Sequence, residues 1–162
     1  MAGQDWKKLI SNLHTWKRGN ERAVHKPLLT LLLLARAQHG GTNHVSFEEV
    51  DPRLRHALIE FGPQRKQQNT HLPFWYLQND GFWNVIDGEK IPKGKSTSPG
   101  RGKLLHHHAV GVVPKPLWTE LGKHQHLIPE LTQQILDDFW PETYHDDIRS
   151  FFGLEDMKTS TR

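Results

Sequence analysis

Residues 28–37 read Leu-Leu-Thr-Leu-Leu-Leu-Leu-Ala-Arg-Ala, with Pro27 immediately before them. The run is too long for an ordinary strand, and Thr30 is its one β-branched residue. Pro27 stands where a first-turn proline belongs, since the first N–H groups of a helix have no intrahelical partner to lose. A buried central helix is predicted, with Gly40 and Gly41 as its stop.

Other helices must cover it. Trp6, Leu9, Ile10, Leu13 and Trp16 recur at helical spacing, which predicts an amphipathic helix over 5–18 that ends on Lys17 and Arg18 and stops at Gly19 and Asn20. A second helix is expected from Asp51 as N-cap and Pro52 as first residue, with Leu54, Leu58 and Phe61 facing inward and Gly62 and Pro63 ending it. Residues 116–121, 129–140 and 141–152 each read as a helix opening near a proline, and Gly153 offers a stop. Between them, 44–47 reads as a short strand. The aromatic segments 74–78 and 82–86, joined by Asn79-Asp80-Gly81, read as a β-hairpin.

The expected class is α+β, a helical domain with a small antiparallel hairpin or sheet. Its first half is winged-helix-like if the hairpin is the wing and 64–70 the recognition helix. One domain is expected over 1–153, followed at 154–162 by a flexible tail or the start of a linker. Most of the tryptophans are assigned to core packing, leaving Phe74 and Tyr76 as the candidates for base stacking.

Charge is unevenly spread. The net charge is +3, but residues 82–115 carry 6 Lys/Arg against 2 Asp/Glu, whereas 116–162 carry 4 against 9. From Lys90 to His108 there are five Lys/Arg, three consecutive histidines and no acid. Gly, Pro and Ser mark much of this stretch as a long basic loop, and a polyanion is its natural partner.

Several chemistries are excluded or weakened. Without cysteine there is no disulfide, thiolate nucleophile or Cys-based zinc site. Asp80, Asp87 and Glu89 do not make the spaced carboxylate pair followed by lysine that a metal-dependent nuclease needs. His106, His107 and His108 are adjacent, so their side chains diverge and suit a phosphate or base surface better than a metal. No apolar run reaches the roughly 20 residues of a membrane span, and the N-terminus has no signal-peptide core. A soluble binding module with no cofactor and no membrane partner is expected.

Three pieces together, HKPLLTLLLLARAQ (25–38), FGPQRKQQNTHLPFWYLQNDGFWNV (61–85) and GVVPKPLWTEL (111–121), resemble the sulfur-binding domain of McrA-type, phosphorothioate-dependent restriction endonucleases. The resemblance spans roughly 5–153. In that family the module precedes an HNH nuclease domain; the HNH motif is missing here, so the likeness implies a targeting module lacking its nuclease. It also implies double-stranded DNA carrying phosphorothioate as partner, and a bacterial cytoplasmic setting.

A backbone sulfur is larger, more polarisable and less hydrated than the oxygen it replaces, so an apolar dent suits it. The same dent desolvates an ordinary phosphate oxygen without offering a donor. The resemblance places this dent around Pro73, with Leu72, Tyr76 and His25 as walls. Family members often carry an aromatic where Leu72 stands. It further assigns phosphate contacts to Arg18, His25 and Lys26, to which the basic pattern adds Arg65, Lys66, Lys95, Lys103 and His107. Base reading is expected from Ser98, Gly100, Arg101 and His106, with the Arg101 guanidinium suited to a guanine edge. Blander readings remain beside these: His25 as a surface N-cap, Pro73 as a strand-initiating proline, and 93–103 as a solvated linker. Three other functions stay open: a metal-dependent nuclease using the histidine run, a general DNA-binding domain, or a protein-interaction domain using the acidic C-terminal helices.

Overall fold

A computed structural model of the chain describes residues 4–13, 17–18, 21–64 and 67–155. The apolar run forms α2 (His25–Gln38), whose residues from Pro27 to Ala35 are all buried. Gly40, at φ +81°, reverses the chain just beyond its end. Around α2 pack α3 (Phe47–Phe61), α4 (His71–Tyr76), α6 (Lys115–Lys123), α7 (Leu127–Phe139) and α8 (His145–Phe152). The first helix, α1 (Gln4–Ser11), lies on α7, shorter than expected. It is followed by an antiparallel pair, β1 (Lys17–Arg18) and β2 (Glu21–Arg22), on either side of the predicted stop at Gly19 and Asn20. The chain's other β structure is an antiparallel sheet in the order β3 (His44–Ser46), β5 (Val110–Val112), β4 (Asn84–Val85). The class is α+β, as expected.

The predicted hairpin is not formed. Residues 71–76 are α4, Leu77–Asp80 is a 3-10 turn, and β4 pairs with β5 rather than with 74–78. Strand alternation would send neighbouring side chains to opposite faces, yet Phe74 and Trp75 are both buried, as are Phe82 and Trp83. Two ties across the turn fix this arrangement: Trp83 Nε1 donates to the Phe74 carbonyl at 2.7 Å, and Gln78 Oε1 accepts from the Val85 amide at 2.9 Å. Gly81, at φ +90°, ends the 3-10 turn instead of forming a hairpin tip. With no wing there, and no helix among the described residues of 64–70, the winged-helix likeness falls as well.

Gly111 lets Trp83 lie across the sheet, because a Cβ at 111 would stand 1.9 Å from the indole ring. Three further tryptophans are similarly tied into the fold. Trp6, Trp118 and Trp140 donate to the carbonyls of Leu117, Gly41 and Phe61. Trp16 lies outside the described residues.

Helix α3 starts earlier than predicted. Ser46 caps it, accepting from the Glu49 amide while Glu49 returns a bond to the Ser46 amide. Asp51 is therefore not a cap but a buried residue of the helix, with Pro52 also inside it. At the other end of the chain, Gly153 adopts φ +70° and closes α8 as expected. Leu154, expected to begin the tail, is 3% exposed and packs into the core. No described helix is long and apolar enough to cross a membrane.

Candidate nucleic-acid interface

The short helix α4 carries Leu72, Pro73 and Tyr76. Leu72 and Tyr76 are four residues apart and so share a face; Leu72 is 36% exposed, Tyr76 half-buried and Pro73 buried. The strand-initiating alternative for Pro73 is excluded, since it lies within a helix.

The basic segment folds back onto this helix. After a 3-10 turn at Gly88–Lys90, residues 91–100 run without regular structure into α5 (Arg101–His106). Three contacts fasten the segment. Lys93 Nζ stands 5.2 Å from the centre of the Trp75 ring, Tyr76 Oη hydrogen-bonds to Thr97 Oγ1, and Arg101 reaches Asp51 on α3. The tie to Thr97, with Ser98 beside it, holds the Tyr76 phenol below its ordinary pKa; burial opposes this and Lys93 assists it. Residues 93–103 are thus not a solvated linker throughout, because Ser98 and Pro99 are buried.

Asp51 is the hub. Its Oδ1 accepts from Thr70 Oγ1 at 2.5 Å, and its Oδ2 accepts from Arg101 Nε at 2.9 Å and Nη2 at 2.7 Å. Burial pushes the carboxyl pKa up, but the bonds from Arg101 and Thr70 and the charges of Arg101 and Arg55 outweigh it, so the net shift is downward. His71 lies in the same environment. Its burial, with the Arg101 charge, lowers its pKa against the opposing pull of Asp51.

A second ion pair lies at the other end of α4. Lys26 Nζ donates to Asp80 Oδ2 at 2.7 Å, with the two side chains only 13% and 0% exposed. The ammonium expected to grip a phosphate is thus engaged inside the fold, joining the start of α2 to the 3-10 turn after α4. His25 is half-buried at the first residue of α2, and Val24 rather than His25 is the N-cap.

The remaining predicted residues divide clearly. Gly100, Arg101, Lys103, His106 and His107 are exposed on the basic segment, as is Lys95. Ser98, expected to read a base, is 6% exposed in the free domain. The Arg18 side chain, Arg65 and Lys66 lie outside the described residues. The histidine run is exposed, with the His106 and His107 rings 5.2 Å apart, and the described residues hold no group of three or more His, Asp or Glu that could bind a metal ion.

The family described as "ScoMcrA-like, DNA sulfur-binding domain" matches residues 4–157. The chain belongs to this family. Among solved structures, the sulfur-binding domain of ScoMcrA complexed with phosphorothioated DNA is similar at a TM-score of 0.81 and 15% identity, over 92% of this chain and 95% of that one. The SprMcrA sulfur-binding domain, also complexed with phosphorothioated DNA, gives 0.75 and 16%, over 94% of each chain. The type IV phosphorothioation-dependent restriction endonuclease ScoMcrA gives 0.77 and 15%, over 92% of this chain but 28% of that one. No curated protein matches the chain.

Sequence reading of this sulfur-binding domain missed Asp51, Thr70, His71, Asp80, Lys93 and Thr97. For Asp51 a signal was present. Ser46-Phe47-Glu48-Glu49 is a capping box, which assigns the cap to Ser46 and leaves Asp51 a different task. The partners of the other five are long-range and left no mark in the sequence.

Proposed function

We infer that this domain binds double-stranded DNA carrying a backbone phosphorothioate, as the targeting part of a modification-dependent restriction endonuclease, and does no chemistry itself. One observation carries the reading: in a chain of this family, the fold lays the basic segment against the apolar helix α4, through Tyr76 and Thr97 and through Trp75 and Lys93, with Arg101 tied to Asp51 on the neighbouring α3. An apolar edge for sulfur and cations for the neighbouring phosphates then share one face.

In this reading Leu72, Pro73 and Tyr76 receive the sulfur, with His25 beside them. Arg101 reads a base edge, with the Gly100 backbone and His106 beside it, while Lys103 and His107, with Arg18 and Arg65, position the duplex through its phosphates. Lys26 contributes by fixing the start of α2 to Asp80. Sulfur contact is apolar and small, so affinity comes from the cations and discrimination from the apolar edge. The nuclease would lie in another part of the protein, and the setting would be the bacterial cytoplasm.

The test is titration of the domain into two duplexes identical except for one phosphorothioate of defined stereochemistry, in several sequence contexts, with Leu72→Glu as comparison. Leu72 is partly exposed, so a carboxylate there alters the surface and spares the core. Preference for the sulfur duplex, lost in Leu72→Glu, is expected. Equal affinity for both duplexes in every context would overturn the reading.

A further inference from the structure

The Asp51 carboxylate is 5% exposed, whereas the Arg101 side chain it holds is 47% exposed. For stability alone this is a poor arrangement, since burying a carboxylate is costly and a half-exposed partner returns little. A well-packed apolar residue could serve the fold as well. What the carboxylate does supply is geometry. One oxygen is fixed by Thr70, the residue immediately before α4, and the other by two donors of Arg101, the first residue of α5. The backbone between Thr70 and Arg101 includes the whole basic loop, so no local structure sets their separation.

We propose that Asp51 is a positioning residue that locks Arg101 to the start of α4, so that the arginine is held at a fixed place relative to Leu72 and sulfur and neighbouring base are read as one unit. The Nε and Nη2 donors on Asp51 fix the plane of the guanidinium, and the exposed remainder of the group is presented to DNA already oriented. An arginine without this anchor would have to give up its rotamer freedom on binding. Discrimination between bases would suffer more than general affinity for DNA. This inference rests on Arg101 as the base-contacting residue.

The experiment measures binding of the wild type, Asp51→Asn, Arg101→Ala and the double variant to a panel of phosphorothioate duplexes varied at the base pairs flanking the sulfur. The salt dependence of binding and the thermal transition of the free domain are recorded for each. Arg101→Ala is expected to flatten the context profile. Asp51→Asn keeps the shape of the carboxyl but loses its charge, and should flatten the profile by roughly tenfold while leaving the salt slope near that of the wild type. The double variant should then be no worse than Arg101→Ala, since both changes remove one interaction. An unchanged profile in Asp51→Asn, or additive losses in the double variant, overturns the role of Asp51 while Arg101 stands. An unchanged profile in Arg101→Ala overturns the arginine reading and this proposal together. If Asp51→Asn fails to fold, Thr70→Val decides: it is similar in size but lacks the hydroxyl donor, and a profile still at wild-type sharpness strikes the proposal.

Discussion

Two ion pairs bracket α4, and each draws on one buried carboxylate. At the far end Lys26 and Asp80 are both enclosed, at 13% and 0% exposure; at the near end Asp51 is enclosed at 5% but Arg101 stands 47% open. The closed pair has a fully buried anion and a largely covered cation, and is a clamp between α2 and the turn after α4. The open pair hides its anion and displays its cation. Burial of the cation, more than the charges themselves, decides which pair serves the fold and which can serve a ligand.

Breaking the closed pair should have the largest effect. Asp80→Ala leaves an ammonium stranded in the interior and is expected to cost about 3–5 kcal/mol in denaturant unfolding. A loss below about 1 kcal/mol, the level of a surface pair, would erase the contrast.

Breaking the open pair from the cation side should act on binding as well. Arg101→Ala is expected to lose about 1–3 kcal/mol of affinity for the preferred duplex and, because it leaves the buried Asp51 carboxylate with Thr70 as its remaining partner, to cost the free domain some stability, though less than Asp80→Ala does. Equilibrium binding and unfolding on the same preparation separate the two.

A smaller effect should follow from Tyr76→Phe, which keeps the ring and removes the bond to Thr97. About 0.5–1.5 kcal/mol of local stability should go, visible as faster amide exchange over residues 91–100 with the α2 amides unaffected. Equal acceleration in both places would show that the loop is not an independently fastened unit.

The smallest effect concerns pH. His71 has a folded pKa below 6.5, so the unfolded chain binds the proton first and stability should decline as pH falls beneath 6.5. Asp51 has a folded pKa below 3.8, so its contribution is complete above 3.8 and is lost as pH falls further, toward its folded value. His71→Gln should remove the upper decline and leave the lower one, in unfolding measured across pH 3–7; persistence of the upper decline would place its origin elsewhere.

The central helix was legible because signals close together in sequence agree: a nearly all-apolar run, a first-turn proline and a glycine stop all act locally. Each C-terminal helix announced itself in the same way. The exposed cations of the basic segment, Arg101, Lys103, His106 and His107, could also be named in advance, since they stand in a stretch rich in Gly, Pro and Ser with no acid from Lys90 to His108. The failure at 74–86 has the opposite cause. Aromatic residues favour strands only when they sit on a half-buried pleated surface, and here Phe47 and Trp83 enclose Phe74 at ring separations of 5.0 and 5.4 Å, which a helix permits. Ser98 and Lys26 are less exposed than their polar side chains suggest in sequence, for a related reason: Tyr76 and Asp80 are brought to them only by the fold.

The sequence by itself determined the helical core, the class of the fold and the positive segment, which depend on residues near one another along the chain, and the family, which three separate pieces carry together. Only the tertiary structure decided that the basic segment returns to α4, that Asp51 joins Thr70 to Arg101, and that Lys26 pairs with Asp80. Those pairings connect residues 19, 50 and 54 positions apart. At such separations the choice of partner is set by which surfaces the packed helices bring together, a global property that no local pattern encodes.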